Sequence, residues 1–478
     1  MIFANTKTIG YKWRSSRWFI VSTISIGLFM ELFLYGFLIP LLPYLFRERL
    51  HKDDVQTQRL TSAVLTLHGL VSTISGPIIG HFADKMSSRR TPLLLSLVGC
   101  IAGTILVAWS PSLVALFLGR SLQGIAGSAI WIVGHATAVD TVSEKDMGKV
   151  VGVIMSFTSA GMISGPMVSG ILIEAIGYWL TWCVPLGILL IDMIARLAMI
   201  ENPAQPSPAS SNSLEETTPL LPSESDSRDL STTFGFWAFL LPNSRVMTAL
   251  VITIFATAML TSFHATLPLY TENTFGWTPR QVGTMFFLLS VPALFLSYPV
   301  GRLRDHIGIR LPVAISLALQ AVFYGLVGVA GNKHFPWAAP QTGGPALYMS
   351  SILALGILGP FVSSVASIEV TSVVRAQESK TPGIFGPQGG LSRVYAITDV
   401  AATTGMTVGP AIAGFLREKV GYTCMNWGFG IVYVILAILA ACFLGPKARD
   451  AGDSAFAFRS TNMPPGAILI LESASSPI

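Results

Sequence analysis

Glu31, His68, His264, Glu369 and Asp399 each stand inside a long apolar stretch of the chain. Placing a charge near the centre of a bilayer costs at least ~2.5 kcal/mol on insertion scales, so each is a candidate for function. A carboxylate in that setting can hold a proton in one state and a cation in another. Competition for one negative charge then couples two fluxes without covalent chemistry. Glu31, in Met30-Glu31-Leu32-Phe33, and Asp399, in Tyr395-Ala396-Ile397-Thr398-Asp399, are the residues expected to do this. His68 titrates near neutral pH when unperturbed, so it can sense or relay a proton. It can equally be a histidine hydrogen-bonded within helix packing, and the same two readings stand for His264. Glu369 is either a functional carboxylate or a helix–helix polar contact. Asp140 and Asp192 lie nearer the ends of their apolar stretches and read as interfacial or packing groups.

The elements that position these residues follow from composition. Of 478 residues, 51% are hydrophobic and 12% charged, against ~25% charged in soluble domains. A soluble domain of this size must cover itself with polar surface, so the chain reads as an all-α polytopic membrane protein. With ~20 apolar residues needed to cross a bilayer, twelve spans are expected. They are 17–46, 60–83, 91–109, 111–139, 148–176 and 178–199, then 246–272, 279–303, 311–331, 345–374, 392–416 and 423–444. The segment 201–245, rich in Ser, Pro, Thr and Glu, cannot bury enough apolar area to order itself and is expected to be a disordered linker. It separates an N-terminal six-helix bundle, 17–200, from a C-terminal one, 246–444, with a short N-terminal segment, 1–16, and a tail, 445–478. The first apolar run is too long for a signal-peptide core, so it is expected to remain as an uncleaved span.

Other classes find little support. Cys100, Cys183, Cys424 and Cys442 all fall in apolar stretches and are expected to be free buried thiols, not a disulfide framework. The chain carries no Walker loop and no zinc signature, and its few nucleophiles lack a nearby base, so neither an enzyme, a metal site nor a cofactor is expected. The expected partners are a small-molecule substrate, protons and the lipid bilayer, with no nucleic acid. Lys85, Arg89 and Arg90 follow the second span, Arg302, Arg304 and Arg310 follow the eighth, and Lys7, Lys12, Arg14 and Arg17 precede the first. The positive-inside bias therefore puts both termini and the linker in the cytoplasm. The loop 47–59, with Arg47, Arg49, Lys52 and Arg59, runs against that bias and is outvoted by the other three.

Two motifs recur half a chain apart. Gly161-Met-x-x-Gly165-Pro166-x-x-x-Gly170-x-Leu-x-Glu-x-x-Gly-Tyr178 returns, all nine fixed letters kept, at Gly405, Gly409, Pro410 and Gly414 through Tyr422. Gly80-His-Phe-Ala-Asp84-Lys-Met-Ser-Ser-Arg89 is matched in register by Gly301, Asp305 and Arg310. A duplicated membrane-embedded half is the signature of a secondary transporter. In the second motif the glycine permits close approach of a neighbouring helix and the aspartate faces that helix's dipole or an arginine. The basic residues, Arg90 among them, hold the loop inside, so the motif reads as a gating latch or as an ordinary topogenic loop.

These motifs resemble those of the major facilitator superfamily, from about Arg17 to Leu444. The resemblance implies twelve transmembrane helices in two pseudo-symmetric six-helix bundles. The Gly-Pro repeat resembles the family's antiporter motif, whose close helix contact limits leak and favours exchange over symport; plain glycine-mediated packing is the other reading. Arg120-Ser-Leu-Gln123-Gly124 resembles a third motif, in which an intramembrane arginine takes part in proton transfer, although an arginine near a helix end can also snorkel. Within the superfamily, the ionisable residues resemble those of vesicular amine transporters and drug:proton antiporters. Glu31 matches the helix 1 carboxylate that binds an ammonium group, and Asp399 the helix 11 proton-coupling carboxylate. His68 stands where that family has a lysine paired with the latter, and His264 replaces a glutamate. Glu369 does not align with the family's helix 10 aspartate, and Ser87 and Ser88 replace a common Gly-Arg pair.

The resemblance implies a proton-coupled antiporter that exports or sequesters small organic, cationic or amphipathic compounds, such as drugs, amines or secondary metabolites, by alternating access. Phe29, Phe33, Tyr35, Phe37, Phe263, Tyr270, Phe286, Phe287 and Tyr395 can line a cavity for an organic cation or simply pack as core. The alternatives are proton symport of a sugar or organic acid, and a non-transporting receptor on the same fold. The position matching Asp399 in the first repeat is Met155, so coupling is expected to concentrate in the C-terminal half. Glu216-Thr-Thr-Pro-Leu220-Leu221 has the acidic dileucine form read by sorting adaptors, so a vacuolar or vesicular membrane stands beside the plasma membrane as an address.

Overall fold

The computed structural model describes residues 11–83, 90–141, 144–200, 233–381, 384–385 and 391–445. Among these the regular structure is entirely helical, as a bilayer requires when no water is present to satisfy backbone groups. In the first half, α1 is Arg17–Leu38, α2 Asp54–Ala83, α3 Arg90–Trp109 and α4 Leu113–Thr141. The helical run Glu144–Ala198 turns at Gly177, φ 77°, which divides it into α5, 144–176, and α6, 178–198. In the second half, α7 is Ser244–Phe275, α8 Pro279–Ile307 and α9 Arg310–Val329. Next, α10 comes in two pieces, Gly344–Leu358 and Val365–Lys380. The run Leu391–Phe443 turns at Gly421, φ 82°, giving α11, 391–420, and α12, 422–443. Glycine alone enters that backbone region without steric cost, so the repeated Gly177 and Gly421 mark two equivalent helix corners.

The glycines earlier in the same repeat set the closest helix pairs. Gly161 and Gly165 of α5 lie against the backbone of Phe29 and Phe33 on α1, and Gly405 and Gly409 of α11 lie against Ile254 and Ala258 on α7. An added Cβ would stand 2.5 Å from the Phe33 carbonyl oxygen at Gly165, and 2.5 Å from that of Ile254 at Gly405. Pro166 fills the notch at Gly36 of α1, where a Cβ would come 2.7 Å from its Cδ. The duplication is thus physical as well as textual: each half packs one long helix backbone-to-backbone on its first helix.

The structure departs from the sequence reading in four places. The first span, expected to run to residue 46, ends at Leu38, and Pro40 and Pro43 hand the chain to a short helix, Leu41–Tyr44, and a π turn, Leu45–Arg49. The tenth span breaks at Gly359-Pro360 because proline supplies no N–H to the ladder. The carbonyls at that break are bonded from neighbouring helices: Ser316 Oγ donates to Leu358 at 3.0 Å, and the Arg304 guanidinium to Pro360. The linker, expected to reach residue 245, gives way to a helix at Thr233–Leu240. Its Phe236 is fully buried and meets Phe385 edge-to-face at 5.4 Å, an apolar anchor that the Ser- and Pro-rich part lacks. Finally, only Cys100 is a buried thiol; Cys183, Cys424 and Cys442 are free but exposed, since an apolar helix in a membrane also has a lipid face. Asp84, Arg89, Glu216, Leu220, Leu221, the linker 201–232 and the tail after 445 lie outside the described residues, as do the side chains of Asp140, Asp305 and Tyr395.

Gly165→Val inserts atoms against the α1 backbone and should cost about 1–3 kcal/mol of overpacking, or prevent folding. Gly187→Ala, at a glycine with nothing within 4 Å, should leave stability unchanged or slightly raised. Thermal melting of the two purified variants checks this pair, and equal melting temperatures would contradict it.

Candidate functional site

Three helices of the first half converge on Glu31. Its side chain is 13% exposed, with Oε1 3.9 Å from His68 Nε2 of α2. On α4, Gly127 leaves room for the carboxylate, since a Cβ there would stand 2.5 Å from Oε1, and Gly124 faces His68, with 3.2 Å to its carbonyl oxygen. One turn earlier on α4, Arg120 is 1% exposed, enclosed among the helices and not snorkelling to an interface. Its Nη1 donates to Gln123 Oε1 at 2.9 Å, and Gln123 Nε2 donates to Thr104 Oγ1 at 3.0 Å. Its Nε and Nη2 find no hydrogen-bond partner among the described residues.

Tyr35 carries this group across to the other half. The Arg120 guanidinium stands 5.9 Å from its ring centroid, and its hydroxyl shares a hydrogen bond with His264 Nδ1 of α7 at 3.3 Å. The His264 ring in turn meets Phe286 of α8 at 5.5 Å. Asp399 of α11 is half-buried and lies within electrostatic reach of Glu31. Tyr35 therefore links Glu31, His68 and Arg120 in one bundle to His264 in the other.

Several sequence expectations change. His68 faces Glu31 and not Asp399, the partner expected for it. Glu369 is outside the group: it forms an ion pair with Arg245 at the start of α7, at 2.7 Å, and ties the second piece of α10 to that helix. Asp192 is fully buried and paired with Arg196, so it is not interfacial. Of the aromatics, Tyr35 and Phe286 touch the polar group. Phe29, Phe33 and Phe37 stack along α1 at 5.6 and 5.4 Å, Phe263 stacks on Tyr324 at 5.2 Å, and Tyr270 stacks on Tyr422 at 3.6 Å, all as packing.

The sequence reading missed the contacts that close one end of the molecule. At the distal end, where α1 leads towards α2 and α7 towards α8, the two halves are clasped. Glu174 accepts a bond from the Arg280 backbone N–H at 2.7 Å, and Glu418, its counterpart in the repeat, pairs with Arg59. Arg47 joins Asp54 at 2.6 Å, Asn273 at 2.7 Å and Glu272. Arg417 donates to Gln58 Oε1 and to the Thr266 carbonyl. Gly170 abuts the Pro279 carbonyl, and Gly414 abuts Ser62. Open clefts indent the clasp, one of about 160 Å³ beside Arg47, Trp277 and Val282 and one of about 280 Å³ beside Asp54, Gln58 and Arg417.

At the opposite end the latch motifs act within each half. Arg90 donates to the Leu197 carbonyl of α6 at 2.7 Å, and Arg310 to the Ala441 carbonyl of α12, tying α3 to α6 and α9 to α12. Gly301 meets nothing within 4 Å, so the close helix approach expected there is not made among the described residues. The distal end is therefore shut by contacts between the halves, among the described residues. Arg47→Gln should loosen the shut end, and a cysteine placed at Val282 should then react faster with a membrane-impermeant maleimide. An unchanged rate would remove Arg47 from the clasp.

Known proteins give an independent bearing on the same chain. A sequence model of the Major Facilitator Superfamily matches residues 24–380. An uncharacterised MFS-type transporter of Schizosaccharomyces pombe is 29% identical over 422 residues, covering 86% of this chain and 92% of that protein. The class E tetracycline resistance protein of Escherichia coli is 25% identical over 421 residues, covering 86% and 92%. The synaptic vesicular amine transporter of Homo sapiens is 23% identical over 400 residues, covering 83% and 68%.

Proposed function

The chain belongs to the Major Facilitator Superfamily, and on that premise we propose that it is a proton-coupled antiporter of small organic cations or amphipathic compounds. One observation carries the reading. Glu31 stands beside His68 and the buried Arg120 guanidinium, and a second carboxylate, Asp399, lies within electrostatic reach of it. With His68 and His264 neutral, that set holds one surplus negative charge, which a low-dielectric interior penalises heavily. One proton or one organic cation neutralises it, and the two exclude each other. Competition of this kind makes an exchanger: the carboxylate that releases the proton is the one that takes the cation.

Alternating access completes the cycle. With the termini in the cytoplasm, as the positive-inside bias indicates, the clasped end faces the outside or a vesicle lumen. Protonation or cation binding at Glu31 changes its attraction to His68 and Arg120, and through Tyr35 the change reaches α7 of the other half. The relatives' names point the same way, one to tetracycline resistance and one to vesicular amine transport. The dileucine segment at Glu216, Leu220 and Leu221 favours a vacuolar or vesicular address. A second reading, transport of an organic acid, is favoured by the unpartnered Nε and Nη2 of Arg120, which suit a carboxylate.

Reconstitution in proteoliposomes under an imposed pH gradient tests both, with a panel of organic cations and organic acids. Wild-type protein should accumulate a cation against outward proton flow. Glu31→Gln should abolish that accumulation, and Asp399→Asn should reduce it. Gradient-driven cation uptake that survives Glu31→Gln would falsify the reading, and uptake confined to acids would favour the second.

A further inference from the structure

The Asp192–Arg196 pair in α6 takes no part in the exchange described above, yet it is fully enclosed. Arg196 Nε lies 3.0 Å from Asp192 Oδ2 and 3.1 Å from Oδ1, with the side chains 1% and 0% exposed. The two terminal nitrogens of Arg196, Nη1 and Nη2, have no hydrogen-bond partner among the described residues. They press into a notch on α1: a Cβ added at Gly27 would overlap Nη2 and would stand 3.2 Å from Asp192 Oδ2. Gly27 precedes Glu31 by four residues, about one helical turn along the same face. Cys100 of α3, itself buried, lies within electrostatic reach of Glu31, Arg120, Asp192 and Arg196 alike. Both charged groups therefore surround one residue of the N-terminal bundle.

Stability does not explain such a pair. Replacing a buried ion pair with well-packed apolar side chains of similar volume is often neutral or stabilising, and in a membrane helix the apolar choice is the default. Geometry does explain it, because the guanidinium occupies a notch on α1, at Gly27, one turn before the exchanging carboxylate.

We propose that Asp192 and Arg196 form a positioning pair for Glu31, keying α1 to α6 through the Gly27 notch while presenting no net charge one turn away. This rests on the reading of Glu31 as the exchanging group. The groups that face Glu31 are Tyr35 on α1 itself, His68 from α2, Cys100 from α3, Arg120 from α4 and Asp399 from α11. Asp192 and Arg196 of α6 stand behind Gly27, and His264 of α7 stands behind Tyr35. A paired Asp192 and Arg196 leave the titration of Glu31 to the first set. Removing either partner leaves a buried charge that biases it.

The test is an infrared titration of the purified protein, in which the protonated-carboxyl band of Glu31 is the one that Glu31→Gln removes. Asp192→Asn leaves the positive charge of Arg196 unopposed, which favours ionised Glu31, so the band's midpoint should move to lower pH by ~1 unit. Arg196→Gln leaves the negative charge and should move it to higher pH. The double variant Asp192→Asn/Arg196→Gln, neutral and similar in volume, should return the midpoint close to wild type. Melting curves identify any variant that fails to fold. If one single variant does fail, the other single and the double still decide. Midpoints that coincide in all folded variants, or that move in the same direction in both singles, overturn the positioning role alone. If the wild type shows no titrating band that Glu31→Gln removes, the antiport reading falls and the pair's role falls with it.

Discussion

An uneven set of charges enclosed among apolar helices is the constraint on which the rest of this molecule turns. Glu31 stands beside the Arg120 guanidinium, and a second carboxylate, Asp399, lies within electrostatic reach of it. Such a set is tolerable only when something mobile completes it. The proposed exchange follows from that need, and so does the provision made around it. Gly124 and Gly127 clear space on α4, Gln123 and Thr104 fix Arg120 on one edge, and Tyr35 passes its hydroxyl to His264 in the opposite half. The carboxylate is held by packing and polar contacts on several helices, so a change in its charge is felt by all of them.

In the proposed cycle it is the duplicated scaffold that would turn that local event into a movement of halves. Each copy of the Gly-Pro repeat does three jobs along one helix: its first glycines press against the partner's backbone, its later glycine and glutamate reach across to the other half, and its last glycine turns the corner. The same helices therefore carry both the rigid packing within a bundle and the contacts that shut the distal end. The Arg90 and Arg310 bonds, equivalent in the two halves, keep α3 with α6 and α9 with α12. A bundle tied in this way moves as a body, and the distal clasp is made chiefly of side-chain bonds, polar and charged, that can break and re-form.

Much of this was legible in the sequence. Apolar runs gave the twelve spans, and the repeat gave the pseudo-symmetry, because both are local properties of spacing. Glu31 and Asp399 stood out because a carboxylate in an apolar helix has no ordinary reason to be there. What could not be read was partnership. Nothing in the spacing of His68 tells whether α2 turns it to α1 or to α11, and the structure chose Glu31. The repeated Glu174 and Glu418 looked like scaffold because their partners, Arg280 and Arg59, are more than a hundred residues distant. For Asp192 the choice between an interfacial and a packing group stayed open for a similar reason: its pair with Arg196 is local, but its burial depends on the Gly27 notch of another helix. The break in α10 and the helix at Thr233–Leu240 had signals, a Gly-Pro pair and an aromatic run, that hydropathy alone smoothed over.

The account's central claim is that one enclosed carboxylate trades a proton for the transported cation. The most direct measurement is proton release when an organic cation binds to the purified protein in weakly buffered solution. The account predicts about one proton released per cation bound, and no release from Glu31→Gln. Binding without proton release in the wild type, or undiminished release from Glu31→Gln, would contradict it.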